Sequence, residues 1–229
     1  MPLSSLTPLV TARFQEVSNL LTEVAAIESP NPQVPDTDHV RTLRGLFYVH
    51  LYGAFEYAMN QAFIRLALYI NQQGVKRKHV MPPLFSVALD EQLTALQTMR
   101  EPEKKFRKRI EAMECARDAN PVAIRDSILS GSFQSATVAV IQMAFDVYGI
   151  SEPVFYDNTK LGYLTEVVER RHAVAHGRES PVDVGGRRTP DLRLRYDALY
   201  SQAIYVIDTI AQFLNGRKYV LPRHRKSYP

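Results

Sequence analysis

The stretch EVVERRHAVAHGRES, residues 166–180, gathers Arg170, Arg171, His172, His176 and Gly177 into eight positions. An imidazole takes and gives protons near neutral pH, and a guanidinium presents a planar fork of donors that matches phosphoryl oxygens. On a helix, Glu169, His172 and His176 form one row at steps of three and four. Arg171 falls in another row, where it interrupts the apolar series Leu161, Leu164, Val168 and Ala175.

Three readings fit such a set. In the plainest, these are surface groups at a helix end, with the basic ones interacting with the negative end of the dipole. In the second, His172 and His176 chelate zinc from one helix face. Against that, Ala173 stands where H-E-x-x-H needs its glutamate, and Cys115, His39, His50 and His79 lie in segments without ligand-like pairing. No metal is therefore expected, and no cofactor motif is read. In the third, an imidazole removes the proton of a ribose 2′-hydroxyl while a guanidinium holds the charge developing on the attacked phosphate. RNA carries that hydroxyl and DNA does not. Arg171 and His176 are five residues apart, about 500° of helix, so on a straight helix they diverge by ~140°. Gly177 places the helix end at His176, and a bend there, or a second subunit, would bring an arginine and a histidine to one phosphate.

The elements that must position these groups read as helices. Leu6, Leu9, Phe14, Val17, Leu20, Leu21 and Val24 predict a helix over about 5–27, stopped by SPNPQVPDTD. Asp36, Thr37 and Asp38 offer caps for a long helix from His39 to about Asn71. Its apolar stripe, broadened by Tyr48, Tyr52, Phe55, Tyr57 and Phe63, implies burial from more than one side. Residues of about 72–131 read as an insertion, with VMPPLF as a turn or loop and DEQLTALQTM and EKKFRKRIEAMECARDA as short helices. FQSATVAVIQMAFDVY, about 133–148, predicts a helix ended by Gly149, and DNTK supplies caps for the helix that runs into the motif. After the loop RESPVDVGGRRTPD, Tyr196, Leu199, Tyr200, Ala203, Ile207, Ile210 and Leu214 mark a last helix, and residues 216–229 trail off as a basic tail. Nothing alternates long enough to demand a sheet. The fold class is all-α, a helical bundle in a single domain over residues 1–229.

In this setting RRHAVAHG resembles the signature of the HEPN superfamily: an arginine, a polar residue, a short spacer and a histidine, often followed by glycine. Arg171, His172 and His176 match it, and the helix GLFYVHLYGAFEYAMNQAF before it and the long amphipathic helix after it are similar to those of prokaryotic HEPN nucleases. The likeness covers roughly residues 40–70 and 157–215. It implies an HEPN-like bundle with an additional helical insertion and a metal-independent endoribonuclease that leaves a 2′,3′-cyclic phosphate. It also implies a homodimer whose facing motifs build one composite site. His176 would be general base or acid, Arg171 the phosphate and transition-state stabiliser, and His172 the polar residue that orients or supplements them. Histidine rather than asparagine at position 172 leaves open which ring carries the proton. Glu56, in GAFEYAMN, is a fourth member of the site if an arginine pairs with it, and otherwise a partly solvated helix glutamate. The rival function is a non-catalytic helical module for dimerisation or interaction.

Arginines accumulate around the motif: Arg170, Arg171, Arg178, Arg187, Arg188, Arg193 and Arg195 resemble a phosphate-attracting rim, with Arg170 and Arg178 as the expected RNA contacts. KKFRKR, residues 104–109, and the tail from Arg217 to Lys226 are further clusters, each as readily a solvated face or a loose end. The 229 residues, 45% hydrophobic and 23% charged, can bury a core, and the net charge of +4 permits nucleic-acid binding without demanding it. Cys115 is the only cysteine, which suits a reducing compartment, and no membrane span or signal peptide is read. The expectation is a cytoplasmic effector of a toxin or antiviral system, with RNA as substrate and an antitoxin or regulatory protein as partner.

Overall fold

A computed structural model describes residues 3–228. Its frame is four helices: α1 (Leu6–Ile27), α2 (Asp38–Gln72), α8 (Leu161–Ala175) and α10 (Thr189–Asn215). α2 packs on the other three, and α10 packs on α1 and α8. That is why α2 carries apolar and aromatic residues round most of its circumference: Phe47, Tyr48, Leu51, Tyr52, Phe55, Met59, Phe63 and Leu66 are all buried. Among the described residues there is no strand, only isolated bridges pairing Lys76 with Pro121 and Val80 with Val220.

Local signals set the helix ends. The Thr37 hydroxyl accepts the Val40 N–H and starts α2, while Asp36, also expected as a cap, instead accepts the Ser29 N–H and pairs with Arg44 at 2.5 Å. Between α2 and α7 (Val138–Tyr148) lie the short α3 (Phe85–Ala88), α4 (Asp90–Thr98), α5 (Pro102–Cys115) and α6 (Ser130–Phe133). VMPPLF, expected as a turn or loop, holds a 3-10 turn at Pro82–Leu84. The helix expected over 133–148 starts only at Val138, because the chain opens after Phe133 and Thr137 caps the new start by accepting the Val140 N–H.

Two further expectations change. The loop after the motif contains α9 (Pro181–Val184), capped by Ser180, which seats directly on α2. A Cβ on Gly45 would lie 2.0 Å from the Pro181 carbonyl oxygen, and one on Gly185 would lie 1.8 Å from that of Arg41. The two backbones touch because these residues have no side chain. The basic tail does not trail off. Tyr219 and Val220 are buried, the Leu221 N–H donates to the His79 carbonyl, and the His224 ring stacks on that of His79 at 3.7 Å. The apolar Tyr-Val-Leu step inside the basic run drives this docking.

Candidate active site

α8 carries the motif and turns two faces to different surroundings. Leu164, Val167, Val168 and Ala173 are buried, which presses Arg171 against α2 and leaves Glu169 and His176 exposed. The helix ends where Gly177 was expected to end it. Gly177 takes φ of 65°, its N–H donates to the Val174 carbonyl, and the Arg178 N–H reaches the Ala173 carbonyl. This left-handed turn places His176 at the helix cap and sends the chain back towards α9.

Arg171 lies against two residues of α2. Its Cζ sits 4.8 Å from the centre of the Tyr52 ring, and its Nη2 is 4.0 Å from Glu56 Oε2. Glu56 is half-buried. Desolvation pushes its carboxyl above the ordinary value, and Arg171 pulls it back only in part. The expected pairing of Glu56 with an arginine is thus present as a long ion pair. Tyr52, one turn before Glu56, was read in the sequence only as one of the aromatics that broaden the apolar stripe of this helix. Its buried hydroxyl donates to the Gln134 carbonyl at 3.2 Å and accepts the Ala136 N–H at 2.6 Å, so the opening between α6 and α7 holds the ring on which Arg171 rests. An aromatic four residues before an acidic one on an apolar helix was the available signal.

The His172 and His176 rings are 5.8 Å apart between centroids. Partial burial, followed by the positive charge of Arg171 and the neighbouring His176 and Arg178, pushes the His172 pKa below the ordinary imidazole value. A neutral His172 is an acceptor, as a general base must be. Among the described residues no group of three or more His, Cys, Asp or Glu is placed to hold a metal ion.

The expected arginine rim is corrected. Arg195 is buried and donates to Glu166 at 2.7 Å, and Arg187 donates to the other oxygen of the same carboxylate at 2.6 Å. Burial pushes Glu166 up, but these two arginines outweigh it and hold the carboxyl below its ordinary value. Arg188 pairs with Glu28, and Arg193 donates to Ser18 at 3.0 Å. Four of the seven arginines are therefore engaged within the chain, three of them between helices or their caps and Arg187 from the loop before α10. Arg170 makes a 3.3 Å contact with Glu179, leaving Arg178 exposed at the helix end. The cleft of about 420 Å³ beside α8 is lined by Glu166, Glu169, Glu179, Arg170 and Arg187. Its three carboxylates face two guanidinium groups, so it is a poor seat for a polyanion.

Among known families, the model of the RiboL-PSP-HEPN family fits residues 10–215, which include every residue of this site. No curated protein and no solved structure matches the chain.

Proposed function

The chain belongs to the RiboL-PSP-HEPN family, and from that premise we propose that it is a metal-independent endoribonuclease. The observation that carries this reading is the grouping of Arg171, held over Tyr52 beside Glu56, with His172 and the exposed His176 at the end of one helix. One histidine takes the proton of a ribose 2′-hydroxyl and the freed oxygen attacks the adjacent phosphorus. Arg171 holds the charge on the phosphoryl oxygens, and a proton from the second histidine lets the 5′-oxygen leave. The products are a 2′,3′-cyclic phosphate and a 5′-hydroxyl. His176 is the better placed of the two to reach an outside substrate, and His172, kept neutral, supplements it. Glu56 balances the charge of Arg171 and limits its rotation.

Arg171 faces α2 while His176 faces outwards, so a homodimer with facing motifs would let the histidine of one copy and the arginine of the other bracket one phosphate. Arg178, with Arg170 beside it, would draw the RNA backbone to that edge. Such an activity suits a cytoplasmic toxin or antiviral effector restrained by a second protein.

The test is incubation of the purified chain with end-labelled tRNA and messenger RNA in excess chelator, followed by end-group analysis. Fragments ending in 2′,3′-cyclic phosphate are expected. Dependence on added metal, or cleavage of RNA blocked by 2′-O-methylation at the cut site, would refute the mechanism. An intact dimer without any cleavage would favour a non-catalytic interaction module.

A further inference from the structure

Helix α5 turns its large apolar residues away from the protein. Ala112 is its buried residue, with Lys105 and Lys108 half-covered on the same side. Phe106, Ile110 and Met113, at steps of four and three, are 61%, 59% and 66% exposed and lie roughly 100–160° round the helix from Ala112. The neighbouring α4 contributes no buried residue to cover them. Along the stripe runs a cleft of about 350 Å³, bordered by Arg109, Glu114 and Arg117. An amphipathic helix whose apolar row faces water is a binding face, because burying that row within its own chain would have been favourable.

The charges beside the row select the occupant. Arg107 and Glu114 share one edge, three residues before and four after Ile110, while Glu103 and Arg117 stand seven before and seven after. A second copy laid antiparallel, on a two-fold axis near Ile110, brings each edge against itself in reverse. Arg107 then opposes Glu114 of the partner subunit, and Glu103 comes opposite the turn just after the helix that carries Arg117 of the partner subunit, each pair twice. Phe106 meets Met113 of the partner subunit, and the two Ile110 side chains meet at the axis. A parallel pairing would instead set Arg107 against Arg109 and Lys105 of the partner subunit twice over and leave Glu114 with no cation opposite, whereas the antiparallel one sets like against like only at Arg109, beside the axis. An anionic membrane or an acidic peptide would have to accept Glu103 and Glu114 along the same edge.

We propose that the outer face of α5 is a self-association surface on which a second copy of this chain docks antiparallel. It lies on a different helix from the motif and does not rest on the chemistry assigned there. One short helix per subunit makes a small interface, so the contact is reversible and depends on concentration.

Sedimentation velocity of the full chain, across two decades of micromolar concentration, tests this. The wild type should double in mass as concentration rises, starting from whatever species Ile110→Glu shows, since that exposed substitution leaves any other interface intact. Ile110→Glu should abolish the doubling. Arg107→Glu should weaken it by about tenfold, and Arg107→Glu combined with Glu114→Arg should return it to within about threefold of wild type. The proposal is overturned by a wild type that does not double, or by doubling that survives Ile110→Glu. It is equally overturned by a double exchange no better than the single one, or by binding of the stripe to anionic vesicles without doubling.

Discussion

The guanidinium carbon of Arg171 rests 4.8 Å from the centre of the Tyr52 ring, while the hydroxyl of that ring is held by the backbone at Gln134 and Ala136. The ring face and the hydroxyl therefore do separate work, one on the arginine and one on the opening between α6 and α7. Tyr52→Leu removes the face and should lower kcat by roughly 2- to 30-fold, the range of a cation–π contact. Tyr52→Phe keeps the face, so kcat should change little while thermal stability falls by about 1–3 kcal/mol from the lost buried hydrogen bonds. Equal losses of kcat in both variants would show that the face is not what positions Arg171.

Removing the groups proposed to react should have larger effects. His176→Ala should reduce RNA cleavage by about 100- to 10,000-fold, the usual contribution of a positioned proton carrier, and Arg171→Ala by a comparable factor. Stability should hold better in His176→Ala, because His176 is exposed, than in Arg171→Ala, which leaves half-buried Glu56 without its cation. Single-turnover assays read beside thermal melts separate the two effects, and wild-type cleavage by His176→Ala would move the chemistry elsewhere.

His172 makes the pH profile informative. Its pKa is depressed by burial first and then by Arg171, His176 and Arg178. If neutral His172 is needed, the acid limb of kcat/KM should rise with pH through a midpoint below the ordinary 6.5. Arg178→Ala removes one repelling charge, so the midpoint should move to higher pH. A profile that ignores Arg178→Ala and persists in His172→Ala would assign the limb to another group.

Glu28 should contribute strongly to acid stability. Its carboxylate is held by Arg44, by Arg188 and by the Thr189 hydroxyl and N–H. Burial opposes the charge, yet these partners outweigh it and lower the pKa from 4.5 to about 2. A depressed carboxyl stabilises the fold fully above its unfolded value and loses that contribution as pH falls through its folded one. Roughly 3 kcal/mol should therefore fade between pH 4.5 and 2. Glu28→Gln should destabilise the protein at neutral pH and flatten this part of the pH–stability curve. An unchanged slope would locate the acid sensitivity at Glu166 or another carboxyl.

The glycines of α2 separate packing from exposure. Gly45→Ala drives a methyl group into the Pro181 carbonyl and should cost about 2–4 kcal/mol, displacing α9 and the loop that leaves the motif. Gly53→Ala, with nothing within 4 Å of its new Cβ, should gain up to about 1 kcal/mol from helix propensity. Chemical denaturation of the two variants decides between these signs.

Much of this protein was legible in its residues because the relevant forces are local. Apolar spacing, the Thr37 cap and the glycine after His176 depend on neighbours within a few positions, and they correctly located α1, α2, α8 and α10 and the end of the motif helix. The same local geometry showed that Arg171 and His176 diverge on one helix. Composition could not show which charges were already engaged. Arg188 and Glu28 lie 160 positions apart, and Arg195 and Glu166 lie 29 apart, so only packing could turn an apparent phosphate rim into ties between helices. Tyr52 became part of the site for the same reason, since its role depends on α8 crossing α2 at that turn. The outward face of α5 was likewise hidden, because apolar spacing says that a row has a partner but not whether the partner lies within the chain. Periodicity records a helix's preference for burial, and the tertiary structure decides what meets it.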